Sequence, residues 1–171
     1  MRTRTLAVAG ALLAALGAVA VVALTLPRTQ AVAQGTPEHL QFKVFDREGP
    51  YTKMIDLAPK GFGPGDSILE HHPLRDPDTG RQAGRAVTHV RIVRTLGKEN
   101  FLGIVDCTIE LPKGDLVFYG AFRASELARG VALPVTGGTG GYLGARGIVT
   151  ARSAKLGGRP GTELSFDVVP Q

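Results

Sequence analysis

Between residues 38 and 169 no stretch repeats apolar residues at intervals of three and four for more than two turns, so the chain lacks the pattern that a packed helix needs. Short runs rich in β-branched and aromatic residues recur instead, bounded by Gly, Pro and Asp clusters. They predict strands at 40–46, 52–57, 67–72, 85–95, 101–111, 115–124, 131–135, 142–153 and 162–169, with a single helical turn near 126–129. The 23 glycines in 171 residues point the same way, at about twice the usual ~7%. The fold class expected is therefore all-β.

The central runs are apolar on both faces. In residues 101–111 the odd positions Phe101, Val105, Cys107, Ile109 and Leu111 form one face, and Leu102, Ile104, Asp106, Thr108 and Glu110 the other. The next run sets Leu116, Phe118 and Phe122 against Val117, Tyr119, Ala121 and Arg123. A sheet that is apolar on both sides needs two partners. In a small all-β chain these can be a barrel interior and a subunit interface, and closure also removes exposed strand edges. Leu111-Pro112-Lys113-Gly114-Asp115 supplies the fixed and positive φ values of a tight hairpin connection.

The N-terminus reads as an export leader, residues 1–33. Met1-Arg2-Thr3-Arg4 precedes an uncharged apolar run from Leu6 to Leu26, then Pro27 and the small triplet Ala31-Val32-Ala33. Cleavage is expected after Ala33, giving a secreted or extracytoplasmic protein. The 21-residue run is also long enough to stay as an uncleaved membrane anchor. A short linker, 34–39, leads into one domain, 40–170. Of the 20 basic side chains three lie in the leader, which leaves 17 against 15 acids. That near balance lacks the excess needed to coat a phosphate backbone, so no nucleic acid is expected as partner. Cys107 is the sole cysteine, which excludes a disulfide framework and a cysteine metal site within the chain.

The conspicuous motif runs Thr136-Gly137-Gly138-Thr139-Gly140-Gly141-Tyr142-Leu143-Gly144-Ala145-Arg146-Gly147. A dinucleotide loop is excluded, because the last glycine of that pattern falls one position late and only 27 residues follow Gly144, too few for the remaining βαβ units. The simplest reading is a tight turn with close backbone approach at the start of a strand.

The segment Val135 to Gly140, with Tyr142 and Ala145-Arg146-Gly147, resembles the "VGGTGxFxxARG" signature of dirigent proteins, which share a barrel fold with allene oxide cyclases. Gly65-Asp66-Ser67, Pro73-Leu74 and Gly84-Arg85-Ala86 are similar to a second family stretch, and Phe42-Lys43-Val44-Phe45-Asp46 to its first strand. The resemblance spans about residues 40–169. It implies an eight-stranded antiparallel β-barrel, a homotrimer, and a cavity for a small hydrophobic or phenolic molecule. In dirigents a separate oxidase supplies the reactive intermediate; the cyclases close a fatty-acid epoxide. Both hold an unstable apolar molecule in one conformation. The resemblance puts Asp46 and Arg146 in the cavity as acid, base or charge stabiliser. Phe45 departs from a family histidine and Gly141 from an aspartate, while Lys43 and Phe45 stand where the cyclases carry Glu and Asn. The best-known substrates are therefore not expected.

Further candidates come from the residues themselves. Asp106 and Tyr119 could be cavity acid and phenol donor, as catalytic groups beside Asp46 and Arg146. His89 and Arg91 share a face with Val87 and Val93 and could, with Phe118 and Tyr142, contact substrate. Adjacent His71 and His72 must point to opposite faces of an extended segment, so joint chelation is disfavoured. One of them joined by His89 and a carboxylate is the weaker metal alternative, and no metal or other cofactor is expected. Cys107 reads as a core thiol. Asp76-Pro77-Asp78-Thr79-Gly80 reads as a turn, or as a border of the barrel mouth. Three functions remain open: a cyclase-like or dirigent-like steering barrel, a lipocalin-like carrier of a hydrophobic molecule, and a structural surface protein.

Overall fold

The computed structural model describes residues 38–47, 51–57, 60–98 and 100–171. The expected leader, 1–33, and most of the linker lie outside these. Among the described residues nine strands follow one another: β1 (Leu40–Arg47), β2 (Thr52–Ile55), β3 (Ser67–Arg75), β4 (Gln82–Gly97), β5 (Asn100–Leu111), β6 (Gly114–Arg123), β7 (Val131–Gly138), β8 (Arg146–Leu156) and β9 (Arg159–Val169). Each corresponds to one of the nine expected runs. The helical turn is a short 3₁₀ segment, Ala124–Glu126, two residues earlier than expected.

All pairings are antiparallel, in the order β1-β9-β8-β7-β6-β5-β4-β3-β2, and a β1–β3 pairing closes the ring. Nine strands make eight barrel positions because β1 and β2 lie end to end along one edge of β3. Asp46 pairs with Leu74 and, after the interruption, Thr52 pairs with Glu70. Between those two pairs β1–β2 advances six residues and β3 only four, so the two strands hold different registers along the same edge of β3.

Strand alternation sorts the faces. Phe101, Val105, Cys107 and Ile109 of β5 point inward, as do Ala86, Thr88, Val90 and Ile92 of β4 and Leu116, Phe118 and Phe122 of β6. These are the faces without charge. The opposite faces carry the ionisable groups, interspersed with exposed or half-buried Val87, Val93, Leu102, Ile104 and Val117. Each large apolar side chain enclosed contributes about 1.5–3 kcal/mol relative to exposure.

The two ends of the barrel differ. At the floor, Phe42 stacks on Phe166 with ring centroids 4.9 Å apart, and Tyr142 packs against Phe42 at 6.2 Å. The glycine motif holds Tyr142 there. It leaves β7, makes the 3₁₀ turn Gly140–Tyr142 and enters β8. Thr139 N–H donates to Asp115 O, Asp115 N–H to Thr139 Oγ1, and Gly141 N–H to Lys113 O, clasping the turn onto the β5–β6 hairpin. The Asp76–Gly80 turn also lies at this end, with the Asp76 carboxylate accepting from Asp78 N–H, Thr79 N–H and Thr79 Oγ1. Those hydrogen bonds hold its pKa below the usual carboxylate value. It is a turn and not part of the mouth.

Candidate functional site

The other half of the barrel encloses a cavity of about 270 Å³. One wall is aromatic and aliphatic: Phe101, Phe118, Phe122, Leu127, Val131 and Leu133. Phe101 and Phe122 meet edge to face at 5.9 Å, and Phe62, from the loop before β3, lies 5.3 Å from Phe101. That loop is anchored by buried Asp66, whose carboxylate accepts from Leu57 N–H and Gly63 N–H.

The facing wall is polar. Asp46 comes from the inward face of β1 after Phe42 and Val44; Glu70 and His72 come from the inward face of β3, with Thr88 of β4 beside them. His72 Nδ1 lies 3.0 Å from Asp46 Oδ1, and His72 Nε2 lies 2.9 Å from Thr52 Oγ1. An ionised carboxylate only accepts, so Nδ1 carries the proton toward Asp46, and neutral His72 accepts at Nε2 from the Thr52 hydroxyl. The β2–β3 register sets Thr52 beside Glu70 and within reach of the imidazole. The His72 side chain is 3% exposed and that of Asp46 13%, so the pair is screened far less than surface charges. Asp46, Glu70 and His72 offer ligand atoms all within 4.8 Å of one another, and could together hold a divalent cation if the Asp46–His72 bond opened. Without one they form a carboxylate–imidazole–carboxylate set that can accept a proton from a bound molecule and return it elsewhere.

Thr88 Oγ1 lies 3.1 Å from Cys107 Sγ in the same cavity. Burial pushes the Cys107 thiol up to about 12, only partly opposed by the Thr88 contact. Alkylation of native Cys107 near pH 8 is therefore expected to be at least about a thousandfold slower than in denaturant, because the thiolate is that much scarcer. Equal rates in iodoacetamide trapping would contradict the burial. Between the ordinary thiol range and pH 12 only the unfolded chain releases this proton, so stability contributed by the thiol is full below that range and falls as pH rises through it.

The structure brings two of the eight sequence-derived residues, Asp46 and Phe118, into the cavity. The other six lie elsewhere. Arg146 is exposed at the floor end, where its Nη1 donates to Ala145 O at 2.8 Å, so it shares no cavity with Asp46. Tyr142 is buried at that same end, and burial raises its phenol pKa. Asp106, Tyr119, His89 and Arg91 are on the outer face because β4, β5 and β6 turn their other parity inward. There His89, Asp106 and Tyr119 stand in register across three strands, with His89 Nδ1 3.6 Å from Asp106 Oδ2, and Tyr119 is 45% exposed. His89 therefore cannot join a metal set with His72.

His72, Glu70, Thr52 and Thr88 were not selected from sequence as site residues. The available signal was parity: His72 shares its face with Ile68, Glu70 and Leu74, while His71 shares its face with Leu69. The opposite orientation expected for the two histidines holds, with His72 buried and His71 exposed.

No family model and no curated protein matches the chain. Solved structures do. A pyocyanin demethylase superposes with TM-score 0.61 at 19% identity, over 77% of this chain and 100% of that one. The Diels-Alderase AbmU from Streptomyces koyangensis gives 0.63 at 15%, over 81% and 72%. The pterocarpan synthase dirigent protein PsPTS1 gives 0.58 at 21%, over 79% and 96%. The chain has the dirigent/cyclase-like barrel fold. At these identities the likeness speaks for the fold, and the side chains of the cavity must carry the argument about chemistry.

Proposed function

We propose that this chain is an exported barrel that takes a small, mostly apolar molecule into its cavity, holds it in one folded conformation and steers its cyclisation or coupling. The observation that carries this reading is the division of the cavity into a polar wall, the hydrogen-bonded Asp46–His72 pair with Glu70 beside it, and a facing Phe101–Phe118–Phe122 wall. The aromatic wall selects and folds the apolar part, the proximity and orientation effect. The polar wall binds a proton-bearing group, with Asp46 or Glu70 as acid or base, and Thr52 fixing the tautomer of His72. Similarity to a Diels-Alderase and a pterocarpan synthase dirigent protein supports a steering role. No redox step is assigned to the chain's own residues; where coupling starts from a radical, a separate oxidase supplies it.

The test is incubation of the purified protein with self-cyclising polyenes and with self-coupling phenols plus an oxidase, followed by chiral chromatography. An altered isomer ratio is expected with wild type and not with Asp46→Ala. Unaltered ratios for both, with the compound bound, would leave a lipocalin-like carrier.

The outer face of β4–β6 is proposed to contact two further copies of this chain, since Val87, Val93, Leu102, Ile104, Val117 and Ala121 stand exposed or half-buried among its ionisable groups. Light scattering should give three times the mass of a chain starting at Gln34, and Ile104→Arg should give one. A monomeric wild type, or a mass that retains residues 1–33, would contradict the assembly or the cleavage respectively.

A further inference from the structure

We infer that the mouth end of the barrel docks on an anionic lipid surface. This goes beyond the function proposed above, and only the ligand's route into the cavity rests on that reading. The near balance of 17 basic and 15 acidic side chains outside residues 1–33 is not uniform along the barrel. The segments joining the strands at the mouth, 56–66, 94–100, 123–131 and 152–159, carry eight basic and four acidic residues, and one of the acids, Asp66, is buried. The segments at the floor, 38–40, 75–82, 110–115, 138–146 and 167–171, carry four basic and six acidic residues. At the mouth, Arg123 pairs with Glu126 and Arg152 with Glu163. Lys60, Arg94, Lys98, Arg129, Lys155 and Arg159 are exposed and make no ion pair or side-chain hydrogen bond among the described residues.

Strand register sets these cations round the cavity opening. Thr95 pairs with Phe101 and Ala154 with Gly161, and Phe101 and Gly161 line the cavity, so the connections carrying Lys98 and Arg159 lie just beyond the lining. Leu127, two residues before Arg129, lines it as well, and Ser153 both lines it and is exposed. The same segments hold two outlying leucines, Leu57 at 63% and Leu96 at 37% exposure. Each basic side chain close to an anionic leaflet strengthens partitioning by about fivefold, and apolar side chains beside such a cluster enter the headgroup boundary. A soluble polyanion would engage the charges and leave the leucines in water. A lipid surface engages both, and it is where a small apolar ligand concentrates. A mouth resting on it receives that ligand without passage through water.

The test is co-sedimentation of the exported protein, with one N-terminus throughout the series, with large vesicles of phosphatidylcholine alone or with about 30% phosphatidylglycerol, at about 0.1 M salt. Binding to the anionic vesicles is expected to be at least about tenfold tighter than to the neutral ones. The rim pair Lys98→Glu with Arg159→Glu should weaken it at least about tenfold, and the floor pair Arg81→Glu with Lys113→Glu, which changes the net charge equally, by less than about twofold. Leu57→Ser should weaken it about threefold at unchanged charge. Lys60→Glu with Arg129→Glu provides the rim comparison if calorimetry finds the first pair unfolded. Equal binding to both vesicles, or equal effects of the rim and floor pairs, overturns the docking. So does binding of heparin or duplex DNA that matches vesicle binding and is unaffected by Leu57→Ser, the mark of a surface for a soluble polyanion. Altered isomer ratios without vesicle binding would remove the docking and leave the steering reading intact; vesicle binding without altered ratios would do the reverse.

Discussion

Replacing His72 with glutamine is expected to lower the rate of the steered reaction by about 10²–10⁴, the usual weight of a positioned acid–base group, with ligand affinity changed by less than about threefold. Glutamine fills much of the imidazole's space and keeps hydrogen-bonding capacity, but it has no titratable ring to share a proton with Asp46, the group that acts as acid or base. The binding surface that remains, Phe101, Phe118, Phe122 and Leu133, is untouched. Thr52→Val has a smaller effect, about tenfold, since it removes one hydrogen bond and leaves the imidazole in place. Thr52→Ser should restore most of that loss, which a simple packing role for the threonine methyl would not allow. Single-turnover rates measured with saturating ligand separate these effects from binding. A His72→Gln protein that works at the wild-type rate would remove the acid–base role and leave shape alone as the source of steering.

The second large effect concerns the floor. Gly114→Ala is expected to destabilise the domain by on the order of 3–5 kcal/mol, combining a strained backbone with a clash that no rotamer relieves. Gly114 has φ +136°, and a Cβ built on it would stand 2.1 Å from Thr139 O and 2.8 Å from Thr139 C. Both atoms are backbone, fixed by Thr139 N–H donating to Asp115 O and by Tyr142 N–H donating to Thr139 O. The hairpin cannot move away without releasing the turn that seats Tyr142. A melting temperature lower by about 10 °C or more in calorimetry checks this. Gly157→Ala provides the contrast: its φ is +56°, yet nothing lies within 4 Å of the added Cβ, so only the conformational strain of about 1 kcal/mol applies. Equal melting temperatures for the two variants would mean that the glycine motif is not the clasp described.

The all-β class, the nine runs and the hairpin at Pro112-Lys113 were legible because alternation and turn chemistry are local properties. Closure into eight positions came from the family resemblance and not from the runs themselves, since it depends on β1 and β2 sharing one edge of β3, a long-range pairing that no local pattern encodes. Of the residues expected at the site, Asp46 and Phe118 line the cavity and Arg146 stands at the opposite end of the barrel. The glycine signature that carries the family resemblance is built around the floor, where its arginine bonds to nearby carbonyls, while the proton-bearing groups gather toward the mouth end. Asp106, His89 and Arg91 show a second limit. Both faces of β4 and β5 are apolar, so alternation pairs residues correctly but does not say which set is inside. The uncharged face was the inner one in each case. At β3 the same rule fails, because Glu70 and His72 are enclosed, and a charge retained on an inward face is where function outweighs the preference for apolar packing.

The most direct measurement is the isomer ratio of product formed in the presence of wild type, His72→Gln and Arg146→Ala, each first shown by calorimetry to be folded. The account predicts that Arg146→Ala keeps the wild-type ratio and His72→Gln reverts to the ratio of the protein-free reaction. Loss of steering in Arg146→Ala with full steering in His72→Gln would contradict it and move the chemistry to the other end of the barrel.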